Sequence, residues 1–154
     1  MNGTDSALLI TPRDRLRNRL YSLAAVLALL GLADGIYLTV EHVTGRTAEC
    51  VASSGCQDVL SSKYAAIGPV PLAAVGALAY FVVFSAALLA AFGYAKSRPL
   101  FALIVVFMFG TTLWLLYLQA FVLHAFCDYC LFSAGVTTVL TGIAAANFFL
   151  RPRL

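Results

Sequence analysis

Four apolar stretches divide this chain, at approximately residues 20–40, 71–92, 100–123 and 130–150. Each is long enough to cross a bilayer as one helix, for which roughly 20 residues suffice. Residues 1–19 are largely polar and carry Arg13, Arg15, Arg17 and Arg19 directly ahead of the first stretch. This reads as a retained signal anchor, because the apolar run outlasts a cleavable h-region and GLADGIYLTV offers no small-x-small site. Within that stretch Gly31 and Gly35 stand at GxxxG spacing, which lets a second helix approach closely. The second stretch begins at Pro71, a favoured first-turn residue, and its Ala73, Gly76 and Ala77 suit close packing. A tight connection, 93–99, offers Ser97 as N-cap of the third span.

Only one interval is both long and polar, Glu41 to Pro69. Inside it Gln57 to Ala66 predicts a short helix with Val59, Leu60 and Tyr64 apolar and Asp58, Ser61 and Lys63 polar, an element suited to lying on the membrane surface. The expectation is an all-α membrane protein: one domain over residues 1–154, built as a four-transmembrane-helix bundle with a short surface helix in its first outer loop.

Composition agrees, with 62% hydrophobic and 11% charged residues and a mean hydropathy of +0.91. Four spans nearly exhaust 154 residues, so no appended soluble domain is expected. The net charge of +3 sits at the membrane-flanking ends rather than in one patch. Arg13, Arg15, Arg17, Arg19, Lys96, Arg98, Arg151 and Arg153 fall on one side and Arg46 and Lys63 on the other. Eight against two predicts both termini in the cytoplasm and all four cysteines on the outer face, where disulfides persist. No nucleic-acid module, phosphate loop or HExxH signature is present in the sequence.

The candidate chemistry is in the cysteines. Cys127 and Cys130 form a CxxC pair, HAFCDYCLF, where the last span begins. A helix starting there favours thiolate at Cys127 and places Cys130 one turn deeper on the same face. Cys50 and Cys56 lie in the polar outer loop. Four cysteines admit three connectivities, and the sequence does not choose among them. Structural staples and a four-thiolate zinc site are the alternatives to exchange, but a CxxC ring adds little loop-closure stabilisation and an oxidising face is a poor place to keep four thiolates. The layout suggests a relay: a partner dithiol attacks the loop pair, a loop thiolate attacks the CxxC, and Cys130 passes electrons into the bundle. With no flavin or haem motif, a lipid quinone is the expected acceptor. Trp114 and Tyr117 are candidates to line a flat aromatic pocket, although such rings also anchor at interfaces or simply pack. Asp34, a carboxylate within a span, is a functional candidate that also falls within reach of the headgroups. Tyr37 reads as interfacial, and His124, Asp34 and Tyr129 are candidate proton donors.

Cys50 and Cys56 in the first loop, CQDVLSSKYA followed by GPVPLAAVG, and CDYC opening the last span together resemble the vitamin K epoxide reductase family in its bacterial, disulfide-forming version. The resemblance covers nearly the whole chain. It implies a four-helix bundle around a quinone of menaquinone or ubiquinone type, with no metal, flavin or haem, in a bacterial cytoplasmic membrane. It implies that Cys50 shuttles electrons from the partner, that Cys56 exchanges with Cys127, and that Cys130 attacks or donates to the quinone. Ser62 matches the family's serine near the redox centre, where its hydroxyl bonds a thiolate or the quinone. Some members carry a fused thioredoxin-like domain, which this sequence lacks, so a separate thioredoxin-like carrier is the expected partner. Vertebrate members place an asparagine in the second span, and residues 71–92 contain none. The expected function is thus a quinone-dependent thiol oxidoreductase that drives disulfide formation in exported proteins. A vitamin K quinone or epoxide reductase is the alternative within the class, and a non-enzymatic membrane scaffold with structural disulfides the alternative outside it.

Overall fold

The computed structural model describes residues 11–46 and 48–150. Residues 1–10, 47 and 151–154, including Arg151 and Arg153, lie outside the described residues. Helix α1 (Pro12–Val43) begins well ahead of the expected boundary. Its start is signalled locally: Pro12 takes the first turn, the Thr11 hydroxyl accepts the Asp14 N–H at 3.3 Å, and Arg17 pairs with Asp14 at 2.6 Å. The arginine segment is therefore helical rather than a flexible flank. Its 32 residues make a rod of about 48 Å, longer than a hydrocarbon core of about 30 Å.

The loop between the first two spans holds a shorter helix than the sequence predicts, α2 (Cys56–Leu60). Two serines stand at its end. Ser61 Oγ donates to the Gln57 carbonyl at 2.6 Å and Ser62 Oγ to the Val59 carbonyl at 2.7 Å, competing with the helical ladder. The chain then makes a small hairpin, β1 (Ala66–Ile67) against β2 (Val70–Pro71), turned by Gly68 with φ +62°. Helix α3 (Leu72–Ala91) follows, then α4 (Ser97–Tyr117), which continues as a π-helical turn over Leu118–Leu123, and finally α5 (Asp128–Phe149). Ser97 opens α4 rather than capping it, because its hydroxyl donates back to the Tyr94 carbonyl at 2.6 Å.

α1, α3, α4 and α5 close a ring in which each packs on two neighbours, the α1–α3 seam being the most extensive. All four helices are long and apolar enough to cross a membrane. The core is rich in small residues, among them Ala24, Ala28, Ala86, Ala87 and Ala90, packed around a few large ones such as Phe101 and Leu140, while Leu78, Leu103 and Phe107 point outward. The run of buried alanines suits a bundle whose solvent is lipid, where helices associate through close packing rather than hydrophobic exclusion. Gly31 and Gly35 perform the expected role on α1. A Cβ on Gly31 would strike the Tyr80 ring, and one on Gly35 would lie 3.1 Å from the Ala77 backbone.

Candidate active site

The site is assembled where α4 runs out. An isolated glutamine in the apolar run LWLLYLQAFVL, Gln119, falls in the π turn and is buried. His124 ends that turn with a left-handed φ of 51°, and the Ala125 N–H donates to the Gln119 carbonyl at 3.1 Å. The chain then extends to Cys127, which occupies the cap position of α5. Gln119 Oε1 accepts the Cys127 N–H at 3.1 Å, so the buried amide fixes the first cysteine of the CxxC pair.

Cys127 and Cys130 are free thiols, whereas Cys50 and Cys56 are joined by a disulfide with Cα atoms 5.6 Å apart. Cys56 and Cys127 are both fully buried and pack with Val59 in one cluster, flanked by Cys50 and Cys130. The structure thus brings all four sequence-predicted cysteines together.

A clamp that the sequence does not announce holds the loop between α1 and α3 on the CxxC. Asp128 Oδ2 accepts the N–H groups of Ala52 at 2.6 Å and Ser53 at 3.1 Å. Ser53 Oγ donates to the Phe126 carbonyl at 2.7 Å, and Tyr129 donates to the Glu49 carbonyl at 3.3 Å. Tyr129 also sets its ring against Tyr37 of α1, 5.3 Å between centroids. Gly55 lets the loop come this close: a Cβ there would lie 2.6 Å from the Phe126 carbonyl oxygen.

Inward of the cysteines lies a largely apolar cavity of about 150 Å³, which Cys130, Ser62, Asp34, Gln119, Tyr80 and Ser133 help to line. A cavity of this size admits one benzene-sized ring. Ser62 and Cys130, predicted as neighbours of one centre, share its wall. Trp114 and Tyr117 do not line it. Thr112, Leu115, Leu116 and Gln119 share the inner face of that helix, and the two aromatic rings, 6.0 Å apart and exposed, lie on the other side. Asp34 lines the cavity, His124 lies in an outer depression beside Ser53 and Phe126, and Tyr129 faces the loop. Tyr80, another residue with no sequence signal beyond a hydroxyl in an apolar span, bonds Ser133 Oγ at 2.8 Å and Thr137 Oγ1 at 2.9 Å. Among the described residues no group of three His, Cys, Asp or Glu side chains is placed to hold a metal ion.

The Cys130 side chain, and then the N–H groups of Cys130 and Tyr129, favour the Cys127 thiolate against the opposing effect of burial and hold the thiol below its ordinary value, at about 7. The sign follows directly: the thiolate predominates above pH 7 and falls about tenfold per pH unit well below it. In the reduced protein, the part of the ultraviolet thiolate absorbance that disappears in Cys127→Ala should titrate with a midpoint near 7. Cys130→Ala should move that midpoint upward; a midpoint unchanged there would refute the cause assigned.

Residues 22–145 match the vitamin K epoxide reductase family, and the chain belongs to that family. It is similar to thiol-disulfide oxidoreductase LTO1 of Arabidopsis thaliana, 40% identical over 112 residues, which cover 67% of this chain and 30% of the relative. The chain therefore spans less than a third of that protein's length.

Proposed function

We propose that this protein is a thiol:quinone oxidoreductase that passes electrons from a thioredoxin-like dithiol protein through its four cysteines to a membrane quinone, and so drives disulfide formation. One observation carries the reading: Cys127 packs against Cys56 of the loop disulfide, while Cys130, one turn away, opens into the apolar cavity. The two thiols of one CxxC thus face two different reaction partners. The cavity's size and apolar walls fit a quinone ring, and Cys130, Ser62, Gln119 and Asp34 would surround it. When bound, a quinone supplies a sink for two electrons and two protons.

The chain's own steps are thiol–disulfide exchanges. The donor dithiol reduces Cys50–Cys56, giving up two electrons and two protons. Cys56 thiolate attacks Cys127 of an oxidised CxxC, and Cys130 leaves as thiolate on the cavity side. Cys50 then attacks Cys56 and releases Cys127. The outcome is a closed loop disulfide beside a CxxC dithiol, the arrangement of bonds present here. The reading includes the orientation with the cysteines on the extracytoplasmic face, supported by the arginines at the far end of α1, by Lys96 in the turn between α3 and α4 and by Arg98 in the first turn of α4.

Cys50→Ala should reduce quinone turnover with the protein donor far more than turnover with a small dithiol, which can reach the CxxC without a shuttle. Equal losses with both donors would overturn the shuttle role. Running the same assay with vitamin K epoxide separates the reductase alternative, since turnover is expected on the quinone alone.

A further inference from the structure

The Ser53 hydroxyl has one hydrogen and two acceptors. Its oxygen lies 2.7 Å from the Phe126 carbonyl oxygen and 3.0 Å from Cys50 Sγ. The Cys56 N–H also points at Cys50 Sγ, at 3.1 Å. With the disulfide closed, Cys50 Sγ is a neutral and weak acceptor, and the carbonyl takes the hydrogen. With the disulfide open, Cys50 can carry a full negative charge, and hydrogen bonds to an ionised acceptor are roughly twice as strong as neutral ones. The same hydroxyl therefore has different best partners in the two redox states.

We infer that Ser53 is a redox-responsive latch and an anion-stabilising residue for Cys50: it ties the loop to Phe126 while Cys50–Cys56 is closed and turns to the Cys50 thiolate when the disulfide opens. The consequence is twofold. In the open state Ser53 and the Cys56 N–H form a two-donor seat for the charge on Cys50, the sulfur that must attack or be attacked. At the same time the loop gives up its bond to Phe126, leaving Asp128 to hold Ala52 and Ser53 by their N–H groups. In the closing exchange, Cys50 Sγ attacks Cys56 Sγ, the Cys56–Cys127 bond breaks and Cys127 leaves as thiolate. No electrons enter or leave the chain, and the negative charge passes from Cys50 to Cys127. Ser53, its anion gone, returns to the Phe126 carbonyl and closes the loop.

This inference borrows from the relay reading only the opening of the loop disulfide. The test follows alkylation of Cys50 by iodoacetamide in the reduced full chain in detergent, at fixed pH, resolved by peptide mass spectrometry. Ser53→Ala should slow Cys50 alkylation about tenfold, the scale of one lost bond to a charged group. Ser53→Thr, which keeps the hydroxyl, should restore it. Asp128→Asn loosens the loop but leaves the hydroxyl, so it should not slow the reaction. Where Ser53→Ala is unstable, Ser53→Gly removes the hydroxyl without adding bulk. Wild-type rates in the hydroxyl-less variants, a slow Ser53→Thr, or an equal slowing in Asp128→Asn would each overturn the latch. Quinone reduction by a small dithiol, measured on the same preparations, separates the two readings. Its absence in the wild type defeats the relay while alkylation still decides on Ser53; its presence with unchanged alkylation defeats the latch alone.

Discussion

Cys130→Ala is expected to lower dithiol-driven quinone reduction by about a thousandfold or more, and Cys127→Ala to do the same, because the two sulfurs act as one unit. Among the described residues Cys130 is the sulfur on the cavity wall, so no neighbour can take over delivery to the acceptor. Cys127 is the buried sulfur packed with Cys56, so no neighbour can take over receipt. In the proposed relay, removing the first blocks the exit of electrons and removing the second blocks their entry. The double variant should be no worse than either single one, the non-additivity expected of residues in series. Stopped-flow quinone absorbance with a small dithiol as donor reads all three variants. Full turnover surviving both single changes would sink the relay, and independent partial losses would show that the cysteines do not act in sequence.

The second large effect is expected at a residue with no side chain. Gly55→Val places branched carbon where a Cβ alone would meet the Phe126 carbonyl oxygen at 2.6 Å, the Phe126 nitrogen at 2.7 Å and the Ala125 Cβ at 3.0 Å. Two of those atoms are backbone, so the conflict is relieved by lifting the loop rather than by a rotamer change. Gly55 has φ of −93°, which any residue adopts, so the requirement is for space and not for conformational freedom. Lifting the loop breaks the Ser53 bond to Phe126 and strains both N–H bonds to Asp128, drawing Cys56 away from Cys127. Misplacement of reacting groups by about 1 Å can cost about a hundredfold in rate. In a chain whose only cysteines are Cys56 and Cys127, Gly55→Val should slow oxidative cross-linking of the pair by about that factor, read on non-reducing gels and by mass spectrometry. Cross-linking at the parent rate would show that the loop contact does not position the sulfurs.

The spans and the cysteine quartet were legible because they are local patterns: an apolar run is read from its length, and a CxxC from its spacing. Boundaries suffered where polar residues did helical work. The arginines ahead of the first apolar stretch look like a flank, yet Thr11, Pro12 and Asp14 are a recognisable helix start in the sequence itself and carry them into α1. At the other extreme, Gln57 to Ala66 reads as a helix, yet it stops at Leu60, where the Ser61 and Ser62 hydroxyls bond back to the Gln57 and Val59 carbonyls. Trp114 and Tyr117 were sensible aromatic candidates, but which face of α4 turns inward depends on how its neighbours pack. Gln119 could have been found as the one amide in its own apolar span, since lipid makes an isolated polar group expensive. The clamp through Asp128 and Ser53 could not, because it joins residues 75 positions apart that have no patterned relation in the sequence.

The hydroxyl of Tyr80 has a consequence for the geometry of the whole bundle. It reaches from α3 to Ser133 and Thr137, two residues one turn apart on α5, and Ser133 follows Cys130 by one further turn in the opposite direction from the helix start. Turning α5 by a single residue would swing its surface through about 100° and break these bonds together. The tyrosine therefore acts as an index pin between two otherwise smooth apolar rods. The compass bearing of the Cys130 sulfur is set one and two turns down the helix, at Ser133 and Thr137, by a tyrosine on another helix.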